Sequence, residues 1–166
     1  MYQRILVPID GSETSDRGLE EALRLARLDG GSVRLIHVVD TQKHVPGYIT
    51  CAAYTSDVVP LVKKLGEQLL EHGRERAGRA GVEAETALLF DQAAARLCDV
   101  VAAQAKSWKA DLIVIGSHGR RGVERALLGS DAERILRVAP VPVLLVKPEA
   151  AALEDVDAVP AVATAA

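Results

Sequence analysis

Five short runs of branched apolar residues recur along this chain: "RILVPID", "SVRLIHVVD", "VEAETALLF", "ADLIVIG" and "VPVLLVK". Each is parted from the next by a longer stretch in which apolar residues return every three or four positions. Leu19, Ala22, Leu23 and Ala26 keep the spacing of a helix with one apolar face, opened by Ser12 as N-cap and ended by "DGG" at 29–31. Val58, Leu61, Val62, Leu65 and Leu69 repeat the period from a start near Asp57 to a close at Gly78–Gly81, with Pro60 tolerated in the first turn. Ala94, Leu97, Cys98, Val101, Ala105 and Trp108 mark a third helix, and "SDAERILRVA" a fourth. Strand and helix alternate throughout, and every path between strands is long enough for a crossover. The pattern predicts one α/β domain: an open, parallel five-stranded sheet with helices on both faces, Rossmann-like in architecture. "ADLIVIG" is apolar enough to be buried on both faces. "VEAETALLF" is less apolar and suits a place near an edge. Pro140 and Pro142 cannot donate ladder hydrogen bonds, so the fifth strand also fits an edge.

The loop between the fourth strand and the fourth helix is the anomaly. Such connections usually take about 2–6 residues. Here Gly116 ends the strand, Gly119 follows, and nine residues intervene before Gly129 and Ser130 open the helix. A helix N-terminus offers unpaired N–H groups and the positive end of a dipole. Glycines ahead of it let the backbone curl around phosphate oxygens. In open α/β sheets, ligands sit beyond the carboxyl ends of the strands, where the strand order reverses. Gly116 lies at one such end and Asp10 at another. If their strands are neighbours, a mononucleotide fits between them, with ribose or base near Asp10 and phosphates in the loop. Ser130-x-x-Glu133 also fits a capping box, a role compatible with phosphate contact. The loop has no lysine, so it is no P-loop, and no G-x-G-x-x-G follows the first strand.

With aromatic residues at only 3%, the core must come from Val, Ile, Leu and Ala. The formal charge is −3, and the four acids of residues 148–166, which hold no Lys or Arg, account for it, leaving residues 1–147 at +1. So balanced a body argues against a nucleic-acid partner. No apolar run approaches the length of a membrane span. "MYQRILVPID" lacks the pattern of a signal peptide, and Cys51 and Cys98 belong to no zinc-ligand motif. A cytoplasmic protein with reduced thiols is expected. His37 and Cys98 read as core residues, Trp108 as packing at a helix end, and His44 and His72 as surface. Residues 40–56 are long for a connector and suggest a lid or contact surface. Residues 148–166, rich in Ala and acid, are expected to form a flexible tail after a domain of residues 1–147.

Gly116-Ser-His-Gly119, then nine residues, then Gly129-Ser130, resembles the nucleotide-binding signature of the universal stress proteins of ATP-binding type. "ILVPIDGSE", "LIHVVD", "DLIVIGSHGRRG…LLGS" and "PVPVLLVK" fit the same family in order, over residues 1–147. The resemblance implies strand order 3-2-1-4-5, adenine-nucleotide binding and a homodimer paired through Val143 to Val146. By the same resemblance, Asp10 and the backbone of Pro8 and Ile9 hold adenine and ribose, and Val38 packs on the adenine. Ile115 and Gly116 line the ribose side. Gly119, Gly129, Ser130 and the Asp131 backbone wrap the phosphates. His118, Arg120 and Arg121 are further candidates for phosphate charge.

These residues point to binding, not chemistry. Phosphoryl transfer needs a held metal and a group that positions the nucleophile. The signature offers a cradle without an evident base, so no catalytic residue and no protein-held metal site is expected, although Asp40 and Asp131 could reach a metal. Mg²⁺ would arrive through the phosphates of ATP. The expected role is regulatory, with at most slow ATP hydrolysis and with a protein partner that reads the loaded state. The alternative is an interaction protein of the same fold that binds no nucleotide. A hydrolase built on Ser117 and His118 is disfavoured: adjacent loop residues rarely align hydroxyl with ring nitrogen, and no G-x-S-x-G elbow is present.

Overall fold

The computed structural model describes residues 1–39, 58–90, 96–118 and 128–148. The elements follow the alternation of the sequence: β1 (Arg4–Pro8), α1 (Glu13–Asp29), β2 (Ser32–Val39), α2 (Val59–Arg79), β3 (Glu83–Phe90), α3 (Leu97–Trp108), β4 (Leu112–Gly116), α4 (Ser130–Val138) and β5 (Val143–Val146). All strand pairs are parallel, and the order across the sheet is β3-β2-β1-β4-β5. The less apolar β3 and the proline-flanked β5 take the two edges, as their composition requires. β1 and β4 are neighbours, so the strand order reverses between them. That is the place where open α/β sheets bind ligands.

Alternating side chains of the central strands feed two cores. Ile5, Val7, Val33, Leu35 and Val114 meet α1 and α2 through Leu19, Ala22, Leu23, Ala26, Leu70 and Ala77. Leu6, Ile36, Ile113 and Ile115 meet α3 and α4 through Cys98, Val101, Ala105, Trp108, Ala132 and Ile135. Helices therefore cover both faces.

Two helices depart from the sequence reading. α2 does not bury the stripe Val58–Leu61–Val62–Leu65–Leu69: Leu61 and Leu65 are 57% and 56% exposed. Its buried stripe is Gly66, Leu70, Gly73 and Ala77. The reason is close approach. A Cβ at Gly66 would stand 2.6 Å from Leu88 Cδ1 and 2.9 Å from His37 Cδ2, and one at Gly73 would stand 2.6 Å from Leu35 Cδ1. Small residues let this helix lie near the sheet, and small residues give little hydrophobic signal. α4 is the second case. Gly129, not Ser130, is its N-cap, and no side chain caps it. Ser130 already has helical geometry, one residue too late for a capping box. Ala94, Asp57, the 40–56 segment and residues 149–166 lie outside the described residues.

At the amino end of the sheet, Arg34 and Glu85 sit opposite one another on β2 and β3 and form an ion pair. The Arg34 guanidinium, then the Trp108 indole N–H, hold the Glu85 carboxyl below the usual carboxylate range. A depressed folded-state value means that this stabilisation is present above about pH 4.5 and is lost as acid titrates the carboxylate. Because the Glu85 side chain is half exposed, the effect is about a few tenths of a kcal/mol. Wild type is expected to exceed Glu85→Gln in denaturation midpoint at neutral pH, with the gap closing on acidification; a gap independent of pH would refute this.

Candidate functional site

The site grows from the carboxyl end of β1. Ile9 continues the strand direction: its N–H donates to the Ile36 carbonyl at 2.8 Å, and its carbonyl accepts from His37 Nδ1 at 2.7 Å. His37 is thus half-buried and structural. Asp10 then begins a turn into α1. Its Oδ1 accepts from the Ser12 N–H at 2.9 Å and from the Ser12 hydroxyl at 2.6 Å, while its own N–H donates to Ser15 Oγ at 3.1 Å. Ser12 is the N-cap of α1, as its sequence context predicts, and accepts from the Ser15 N–H at 3.3 Å.

The adjacent β4 ends at Gly116. A Cβ there would stand 2.7 Å from Thr14 Oγ1, 2.8 Å from Thr14 C and 2.9 Å from Thr14 Cβ. The glycine is needed because the first turn of α1 lies directly on it, a requirement that involves no ligand. Ser117 follows, and its N–H donates to the Val146 carbonyl of β5 at 2.7 Å. The Thr14 hydroxyl donates to the His118 carbonyl. Across the glycine loop, the Gly129 N–H donates to the Ser117 carbonyl at 2.9 Å, tying the two ends of the loop together. α4 starts at once, and the N–H groups of its first turn lack a side-chain cap.

The structure thus brings Asp10, Gly116, His118, Gly129 and Ser130 to the switch point between β1 and β4. Pro8 is half-buried at the end of β1, and Val38 is half-buried near the end of β2, on the side of the sheet that faces α3 and α4. Ile115 is buried within that core, so only its backbone is available to a ligand. Asp131 is exposed in the first turn of α4, with its carboxylate 3.9 Å from Arg134. Gly119, Arg120, Arg121 and Asp40 lie outside the described residues.

Ser117 and His118 differ from expectation. Despite their adjacency, Ser117 Oγ lies 2.9 Å from His118 Nδ1. The pair still lacks the other parts of a nucleophilic site. Ser117 is 3% exposed, and among the described residues His118 Nε2 meets no orienting partner. Nor do the described residues gather three acid, His or Cys side chains that could hold a metal. No helix among them is long and apolar enough to cross a membrane.

The residues that sequence reasoning passed over are the hydroxyls of Ser15 and Thr14. The signal was the run "SETS" immediately after Asp10-Gly11. Three hydroxyls within four residues exceed what one N-cap requires.

The sequence profile of the universal stress protein family matches residues 1–147. A universal stress protein of Methanocaldococcus jannaschii is 34% identical over 147 residues, which is 89% of this chain and 83% of that protein. A solved universal stress family protein from Burkholderia pseudomallei superposes with TM-score 0.68 at 31% identity, covering 89% of this chain and 96% of its own. The universal stress protein of Archaeoglobus fulgidus in complex with dAMP superposes with TM-score 0.61 at 25% identity, covering 88% and 98%. By profile, by sequence identity and by strand order, this chain belongs to the universal stress protein family.

Proposed function

We propose that this protein binds an adenine nucleotide, ATP in particular, at the switch point between β1 and β4, and that it acts as a regulatory module. One observation carries the reading. The first turn of α4 presents its N–H groups without a side-chain cap, next to the stapled ends of a glycine loop and one strand away from Asp10. That is the donor arrangement a phosphate chain uses. The dAMP bound by the Archaeoglobus fulgidus relative supports an adenine nucleotide as the ligand class.

Asp10 and the backbone of Pro8 and Ile9 take the ribose and adenine, with Val38 against the base and the Ile115–Gly116 backbone along the ribose. Gly119, Gly129, Ser130 and the Asp131 backbone take the phosphates, joined by His118. Mg²⁺ comes with the phosphates, whose oxygens are its usual ligands. The role is binding with at most slow hydrolysis, in which water and not a protein hydroxyl is the nucleophile. The outer edge of β5 pairs with no described strand of this chain, which favours a second copy there. The buried free thiol of Cys98 suits the cytoplasm.

Calorimetric titration of nucleotide-stripped protein with ATP, ADP, AMP and adenosine tests the reading. ATP is expected to bind with Kd below about 1 mM, more tightly than adenosine by about tenfold or more if several backbone donors meet the phosphates. Gly119→Ala is expected to remove most of that advantage. Equal affinity for ATP and adenosine would refute the phosphate cradle, and no binding at all would favour the nucleotide-free interaction protein.

A further inference from the structure

We infer that Thr14 is the positioning residue of the phosphate loop: its hydroxyl, on α1, sets the direction of the peptide from which the glycine loop departs. The inference rests on the nucleotide reading above and deepens it.

Thr14 is 6% exposed in the first turn of α1, 104 positions in sequence from its partner, the His118 carbonyl. Its one hydroxyl proton goes to that carbonyl. The neighbouring Ser12 hydroxyl, 3.4 Å away, cannot compete for the carbonyl, because its own proton goes to Asp10 Oδ1. The two protons are therefore assigned outward, Ser12 to Asp10 and Thr14 to the His118 carbonyl, with none between the two hydroxyl oxygens. Thr14 packs directly on Gly116, its Oγ1 2.7 Å from where a Cβ there would stand.

The consequence is electrostatic. A carbonyl oxygen aimed at a phosphate would repel it. By donating to the His118 carbonyl, Thr14 occupies that oxygen with a donor of α1 and keeps it from opposing a phosphate. The Ser117 carbonyl is removed from the site in the same manner by the Gly129 N–H. Two successive carbonyls at the loop's start are thus neutralised by donors of the protein itself, one on α1 and one at the cap of α4. The same hydroxyl ties the first turn of α1, which follows directly on the Asp10 turn, to the start of the loop.

The test compares Thr14→Val, Thr14→Ala and Thr14→Ser by titration with ATP and with adenosine, with far-UV circular dichroism and melting as controls of folding. The loss of one neutral hydrogen bond predicts ATP binding weaker by about 3- to 10-fold in Thr14→Val and Thr14→Ala. Adenosine affinity is expected to change by less than about 2-fold, because the carbonyl is opposed only to phosphate charge. Thr14→Ser, which keeps the donor, is expected to restore ATP binding to within about 2-fold of wild type. Should Val or Ala prevent folding, Thr14→Ser decides alone: lost ATP binding in a folded Ser variant overturns the inference. Equal losses for ATP and adenosine, or unchanged ATP binding without the hydroxyl, overturn it as well while leaving the nucleotide reading intact. Failure of the wild type to bind ATP overturns both.

Discussion

Gly116→Ala is expected to destabilise the protein without ligand by about 1–3 kcal/mol, the range for forcing an extra methyl into a closed contact. For a domain of this size that is a fall in Tm of about 2–12 °C. The new Cβ would meet Thr14 at 2.7 Å (Oγ1), 2.8 Å (C) and 2.9 Å (Cβ). Two of these atoms belong to the side chain, but the carbonyl carbon is backbone in the first turn of α1. Relief therefore requires the helix to move, not a rotamer to change. One turn further on, a Cβ at Gly18 would meet the Gly116 nitrogen and the Ile115 carbonyl carbon at 3.5 and 3.6 Å, ordinary contact, so α1 already lies close along β4. Truncating Thr14 in a Gly116→Ala, Thr14→Ala double variant is accordingly expected to recover only part of the loss. Thermal melts of the single and double variants without nucleotide check this. A Gly116→Ala protein that melts within about 1 °C of wild type would show that the contact with Thr14 does not require the glycine.

Gly116 also marks the limit of what the sequence makes legible. The glycine spacing, the position after an apolar strand and the helix beyond it are local, and they lead to the switch point between β1 and β4. The cause of the glycine is not local: it is Thr14, about a hundred residues earlier, and no pattern within the loop encodes that contact. The strands were readable for the same reason that α2's buried face was not. Ile5, Leu6, Val7 and Leu112 to Ile115 are large and apolar, so burial on both faces writes itself into composition. Gly66, Gly73 and Ala77 are buried because they are small, and the larger Leu61 and Leu65 beside them draw the eye to the wrong stripe. The edges were legible from what they lack, hydrogen-bond donors at Pro140 and Pro142 and apolar bulk in β3. At α4, the Ser130–Glu133 pair imitates a capping box, but the cap falls on Gly129, so a true local motif gave a false local structure. Ser117 and His118 show the reverse: the hydrogen bond between neighbours depends on a backbone course that spacing alone does not reveal.

Trp108→Ala is expected to cost about 3–5 kcal/mol, the usual range for truncating a buried aromatic, and thus a large share of a domain stability of about 5–15 kcal/mol. The indole is 4% exposed at the end of α3. The Arg4 guanidinium lies 4.8 Å from its centroid and the Arg34 guanidinium 5.0 Å, while its N–H donates to Glu85 Oε1 at 3.1 Å. Arg4, Arg34 and Glu85 stand on β1, β2 and β3, so one side chain gathers the amino ends of three strands. Trp108→Phe separates the contributions. It keeps most of the buried ring and loses the N–H donor and the wider face that cations prefer, for an expected loss of about 1–2 kcal/mol, of which the hydrogen bond supplies about 1. Urea denaturation followed by far-UV circular dichroism reads both variants, since the only tryptophan of the chain is the residue removed. This cluster sits at the opposite ends of the strands from Asp10 and Gly116. Folded Trp108→Phe is therefore expected to bind ATP as wild type does, whereas changes at the carboxyl ends alter binding and stability together. A Phe variant that kept its stability and lost nucleotide would contradict this division of the sheet, in which the proposed site lies at the carboxyl ends alone.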